Sequence, residues 1–150
     1  LYPDVRSFTE HPVVELGHGV GPFYKTSDEA KALVWLRAFL LWEEDDELHL
    51  AKGAPRAWFA DGQSFGVEKM ATFFGPVTYK ITANDSAVKA EIHLDPGRAP
   101  GALVLHVRLP EGAQIRAVTV DGRAHTEFDA QAQTVRIANP APRLSVVVEL

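Results

Sequence analysis

The sequence predicts a mainly β chain, an antiparallel β-sandwich of about 8 strands preceded by an irregular lead-in and one apolar α-helix. Three observations carry that expectation. Beyond Glu47 the apolar side chains alternate with polar ones, the period of strands half-buried on a sheet. Turn-forming residues interrupt those runs at short intervals, among them the dipeptide Asp121-Gly122. From Ala32 to Trp42, by contrast, every residue except Arg37 is apolar, which is no strand pattern.

In chain order, residues 1–25 lack periodicity and place Gly17, Gly19, Gly21 and Pro22 just before a helix signal, so they are read as an irregular lead-in. At Thr26 the pattern T-x-x-E starts a helix. The Thr hydroxyl can accept from the third helical amide while Glu29 reaches back to the cap's own amide. Good helix formers, including Ala30, Lys31, Ala32, Leu33 and Leu36, carry it to about Trp42.

Such a helix has no wet face and needs cover on more than one side. It is also too short to cross a bilayer, which takes ~20 residues. One sheet can cover one flank. The other flank, with Trp35, Phe39 and Trp42, is expected to pack against something outside the strands.

The acidic run Glu43-Glu44-Asp45-Asp46-Glu47 opposes the helix dipole and is read as a solvated turn that ends the helix. Residues 26–47 thus form a helix and acidic turn, a docking or linker segment, and residues 48–150 the sandwich. Val77, Tyr79 and Ile81 share one face of a strand. Val88, Ala90, Ile92 and Leu94 share one face of the next, reached through Asn84 and Asp85. Leu103, Leu105, Val107 and Leu109 alternate with His106 and Arg108. Val118-Thr119-Val120 leads into Asp121-Gly122, whose two positive φ angles suit a type I′ hairpin. Val135 and Ile137, then Leu144, Val146, Val148 and Leu150, supply the last strands.

Composition narrows the function. The chain has 150 residues with 46% hydrophobic and 23% charged, ordinary globular usage. A net charge of -5, with its Lys and Arg scattered, argues against nucleic acid. Absence of Cys excludes a disulfide framework and leaves the compartment open. The chain begins Leu-Tyr-Pro-Asp, with neither Met nor a leader, so a processed chain or a piece of a longer protein is expected.

Gly62-Gln63-Ser64-Phe65-Gly66 matches the G-x-S-x-G nucleophile elbow in letters. That elbow needs a strand before it and a helix after it. Here a turn through Pro55-Arg56-Ala57-Trp58 precedes it and the alternating Val67-Glu68-Lys69-Met70 follows, so a hairpin turn is the better reading. The five acids could offer oxygens to a cation, with Asp45 and Asp46 as the candidates, but no metal site is expected. The six His show neither H-x-x-x-H nor a Cys-paired spacing. His18-Gly19-Val20-Gly21 follows no strand and is read as a chain reversal, not a phosphate loop. No cofactor is expected. Aromatic rings remain, because sugars stack their C–H faces on them. Trp58, with Arg56 and Phe74, is the candidate carbohydrate contact, weighed against plain packing of Trp58.

The segments Leu48-His49-Leu50-Ala51, Gly53-Ala54-Pro55-Arg56-Ala57-Trp58 and Phe73-Phe74-Gly75-Pro76-Val77 resemble the C-terminal region of bacterial (α/α)6 six-hairpin glycosidase-like proteins. Val118-Thr119-Val120-Asp121-Gly122 and Phe128-Asp129 fit the same region, so the likeness runs from about Gly19 to Leu150. It implies a β-sandwich whose catalytic acid and base lie elsewhere, in a helical barrel absent from this sequence. No catalytic residue carries over. The expectation is a non-catalytic accessory C-terminal domain of a carbohydrate-active enzyme, packed through Trp35, Phe39 and Trp42 against the helical-barrel catalytic domain of the same parent. The alternative is an independent carbohydrate-binding module that holds polysaccharide on exposed aromatics. An exported parent, periplasmic or extracellular, self-association of the isolated chain through its apolar helix, and no membrane partner complete the expectation.

Overall fold

The computed structural model describes residues 26–95 and 97–150, and the side chains from residue 30 onward. The lead-in over 1–25, the His18-Gly19-Val20-Gly21 stretch and the Thr26/Glu29 capping side chains lie outside the described residues. By its internal contacts the chain divides into two compact units, Leu1–Arg37 and Ala38–Leu150. What is described of the first is the helix up to Arg37.

Helix α1 spans Thr26–Leu40, starting where the capping pattern places it. It ends two residues earlier than the apolar run does, because its last carbonyls find partners there. The Leu40 carbonyl accepts from the Ala51 amide at 2.8 Å, and the Phe39 carbonyl from the Gly53 amide at 3.2 Å. Leu41 then enters a strand, and Trp42, expected on the helix, lies on that strand instead.

The rest is mainly β, with a single 3-10 turn at Arg56–Phe59 among the described residues. Strands β1 (Leu41–Glu44), β2 (Glu47–Leu50), β6 (Ala102–His106), β10 (Thr134–Ala138) and β9 (Phe128–Asp129) form one sheet, in the order β1-β2-β6-β10-β9. Strands β3 (Ser64–Met70), β4 (Val77–Asn84), β5 (Ala87–Leu94), β11 (Arg143–Glu149), β7 (Ala117–Val120) and β8 (Arg123–Ala124) form the other, in the order β3-β4-β5-β11-β7-β8. These exceed the expected number because short pieces such as β8 and β9 leave little periodic signal in the sequence. Among the described residues every pairing is antiparallel except β2 with β6.

The acidic run is a hairpin within this first sheet. Glu44 pairs with Glu47, and Asp45 turns the chain at φ 53, a left-handed value that Asp tolerates. The turn at Asp121-Gly122 has φ 50 and 74, as the type I′ reading requires. In the β4–β5 turn the Asn84 carboxamide oxygen accepts from the Ser86 and Ala87 amides at 2.9 and 2.8 Å.

One apolar core lies between the inner faces. Leu48, Leu50, Leu103, Leu105 and Val135 enter from the first sheet, and Val77, Tyr79, Ile81, Val88, Ala90, Val146 and Val148 from the second. Strands β4 and β5 alternate buried and exposed, as half-covered strands should. Tyr79 ties this core to the end of α1: its ring is 2% exposed and its hydroxyl donates to the Leu40 carbonyl at 3.0 Å. Burial pushes the phenol's pKa well up, so the hydroxyl stays a donor. Tyr79→Phe should cost ~1 kcal/mol, since the Leu40 carbonyl keeps its Ala51 partner. Urea unfolding measures it, and a loss above ~3 kcal/mol would mean that the hydroxyl does more than this one bond.

Candidate functional site

Two surfaces stand out, one apolar and one polar. Among the described residues the large exposed hydrophobics are Leu33, Val34, Trp35, Leu36, Phe39, Trp42 and Phe73. All but Phe73 fall within ten consecutive positions of α1 and β1. Trp35 is 63% exposed, Phe39 43% and Trp42 45%, so the apolar run is left wet. Phe73, in the β3–β4 connection, is 83% exposed, and its amide donates to the Glu43 carboxylate at 3.2 Å.

The candidate carbohydrate contacts are dispersed. Phe74 is 3% exposed and belongs to the core, with the Arg98 guanidinium 5.7 Å from its ring centre. Arg56 and Trp58 share the 3-10 turn. Arg56 donates to the Leu109 carbonyl and, at 2.9 Å, to the Gln133 side chain. Trp58 is half-buried against the core, its ring 5.2 Å from that of Phe65. The outward positions of β4, β5 and β11 hold no Trp, Tyr or Phe; a shallow groove there is lined by Thr78, Lys80, Glu91, His93, Arg143 and Ser145. Ser64 opens β3 rather than a helix, and among the described residues its hydroxyl makes no hydrogen bond. Asp45 and Asp46 form the β1–β2 turn, where Asp46 pairs with Arg98 at 3.3 Å. Among the described residues no group of three or more His, Asp or Glu is placed to hold a metal ion, and no helix is long and apolar enough to cross a membrane.

The polar surface was not legible as a site in the sequence. It lies on the outer side of the first sheet, beside Trp42, which pairs across the strands with His49. His49 is 8% exposed on β2, and its Nδ1 lies 3.0 Å from Nε2 of His106, the last residue of β6. Its Nε2 is buried without a hydrogen-bond partner, 3.6 Å from the Glu47 carboxylate and 3.8 Å from that of Glu44. Lys52 pairs with Glu44 at 2.8 Å and sits 5.8 Å from the Trp42 ring centre. Arg136 of β10 pairs with Glu47 at 3.0 Å. The Arg108 guanidinium donates to the Lys52 carbonyl at 3.1 Å, with its Nε buried and unpaired.

Electrostatics follow from this layout. The Lys52 hydrogen bond and charge hold the Glu44 carboxyl below its ordinary value. Burial, with Lys52 behind it, pulls the His49 imidazole down, and Glu47 and Glu44 oppose that. Burial, then the charges of His49, Lys52 and Arg108, pulls His106 down to about 4. The one local sign of this pair is a His flanked by two core leucines in Leu48-His49-Leu50; its partner is 57 residues away.

No protein-family model and no curated protein matches the chain. Among solved structures it is similar to a GH127 β-L-arabinofuranosidase from Geobacillus stearothermophilus T6, with 14% identity and a TM-score of 0.38. That likeness covers 82% of this chain and 18% of the other, so this chain spans less than a fifth of that enzyme's length. A likeness this distant leaves function to be argued from the surfaces themselves.

Proposed function

We propose that this chain is an accessory packing module of a carbohydrate-active enzyme, without turnover of its own, docked through Phe39 and Trp42 onto a helical catalytic domain of the same parent protein. The carrying observation is where the wet aromatics are. Rings used to hold a polysaccharide would form a row on a sheet face, whereas here the outward side of β4, β5 and β11 carries none and three of the four exposed rings, Trp35, Phe39 and Trp42, fall between positions 35 and 42, with Phe73 apart from them in sequence. Patches of that kind on a soluble domain mark an interface. The class of partner comes from the sequence resemblance to six-hairpin glycosidase-like proteins.

The isolated chain should self-associate through this surface. Light scattering over a concentration series should give a mass that rises above the monomer, and the double variant Phe39→Ser with Trp42→Ser should return it to the monomer at all concentrations. A wild-type chain that stays monomeric throughout while binding polysaccharide on a glycan array would instead support the independent carbohydrate-binding module.

A further inference from the structure

The histidine pair sits at a mechanically special place. Among the described residues β2 is the one strand of the β1–β2 hairpin that pairs with the rest of its sheet, in parallel with β6, helped by the Asp46 carbonyl on the Gly101 and Ala102 amides and by Glu47 on Arg136, and His49 and His106 bridge that seam. Between two imidazole nitrogens 3.0 Å apart there is room for one hydrogen. In the neutral pair the His49 Nε2 faces two carboxylates, which favours a hydrogen on that atom. His106 Nε2–H then donates to His49 Nδ1. A first added proton keeps a single hydrogen in the bridge: it is taken up at Nδ1 of His106 as the bridging hydrogen crosses to Nδ1 of His49, so His106 stays neutral and His49 becomes the cation, donating through Nδ1 to His106 Nε2 and presenting Nε2–H to Glu44 and Glu47. A second proton puts N–H groups on both facing nitrogens, and the bridge cannot persist.

We infer that His49 and His106 form an acid latch on the β2–β6 seam, one that accepts a first proton in place and opens on the second, loosening the β1–β2 hairpin from the sheet. The surrounding charges set the order. Glu44 from β1 and Glu47 from β2 favour charge on His49, with Lys52, which follows β2, opposing them. Lys52 and Arg108, which follows β6, oppose charge on His106, and Arg136 from β10 draws on Glu47, with Glu127 also paired to it at 3.6 Å. The two steps belong to the pair as a coupled unit. Sign is fixed by the direction of the shifts. Both imidazoles prefer the neutral form when folded, so the latch is closed above the ordinary histidine value of about 6.5 and is lost as the pH falls toward 4. The latch stands without the docking proposal; only its consequence, that acid would disturb the surface around Trp42, rests on it.

Amide hydrogen exchange, expressed as protection factors between pH 7 and pH 4, tests this on the whole chain. Protection of residues 41–50 should fall at least tenfold more than that of the β4–β5 amides. Imidazole ¹⁵N shifts should show His49 charging first and His106 only near pH 4. His106→Gln, whose amide can still donate to His49 Nδ1, should abolish the selective loss in the hairpin. Parallel loss of protection in both regions, or a selective loss that survives in His106→Gln, would overturn the latch. If the variant does not fold, the wild-type comparison of the two regions still decides it.

Discussion

Gly66→Ala should be among the most damaging single-methyl changes in this chain, costing ~3 kcal/mol or more in urea unfolding, the upper end for overpacking. A β-carbon at Gly66 would lie 2.0 Å from the Tyr79 carbonyl oxygen and 3.0 Å from the Lys80 Cα. Both obstacles are backbone of β4, so no side chain can swing away. Relief requires β3 to move off β4 along a register that runs from Ser64 opposite Thr82 to Val67 opposite Tyr79. A cost below ~1 kcal/mol would show that β3 shifts freely and that the approach is not a constraint. By comparison, Gly62 at φ 73 has open space around it, and Ala there meets only the left-handed penalty of roughly 1–2 kcal/mol. The two glycines that complete the nucleophile-elbow spelling thus have separate structural reasons, one for a turn and one for a close strand. Ser64 stands between them at the start of an ordinary strand.

Strand content was readable because burial on one face writes a two-residue period into the chain. Val77 to Ile81 and Val88 to Leu94 show it, and the structure buries their alternate apolar residues, Val77, Tyr79 and Ile81 and then Val88, Ala90, Ile92 and Leu94. Turns that depend on two or three adjacent residues, such as Asp121-Gly122 and Asn84, were readable for the same local reason. The β2–β6 pairing was not. Strands β3, β4 and β5, all of the other sheet, lie between them in sequence, and nothing near Leu48 or Leu103 encodes a parallel partner. The histidine pair inherits that opacity.

The end of α1 at Leu40, short of the apolar run, is hidden from the sequence for a related reason. Leu41 and Trp42 continue the apolar run, but distant groups, the Ala51 and Gly53 amides and the Tyr79 hydroxyl, take the carbonyls where the helix stops. Among the aromatics, sequence separates ring from non-ring but not wet from dry. Phe73 and Phe74 are adjacent, yet one is 83% exposed and the other 3%. Phe39 and Trp42 could be named as apolar and unmatched by strands; that they are exposed needed coordinates.

Phe59→Ala should lower stability by ~3–5 kcal/mol, the range for removing a buried aromatic. Phe59 is 1% exposed at the end of the 3-10 turn and meets the Phe65 ring edge-on, with centres 5.1 Å apart at 81°. Against the ~5–15 kcal/mol of a typical domain, that loss should depress the thermal midpoint by roughly 10 °C. Its neighbour Trp58 touches the same Phe65 from a half-buried position, so Trp58→Ala should cost less, ~1–2 kcal/mol, by the area it removes from the core edge. The pair of measurements separates packing from ligand contact. If Trp58 is held by Phe65 alone, both variants lose stability in proportion to burial and neither changes polysaccharide retention in affinity electrophoresis. A Trp58→Ala chain that keeps its wild-type thermal midpoint but loses retention would place a sugar on that ring, and the packing-module proposal would have to yield there.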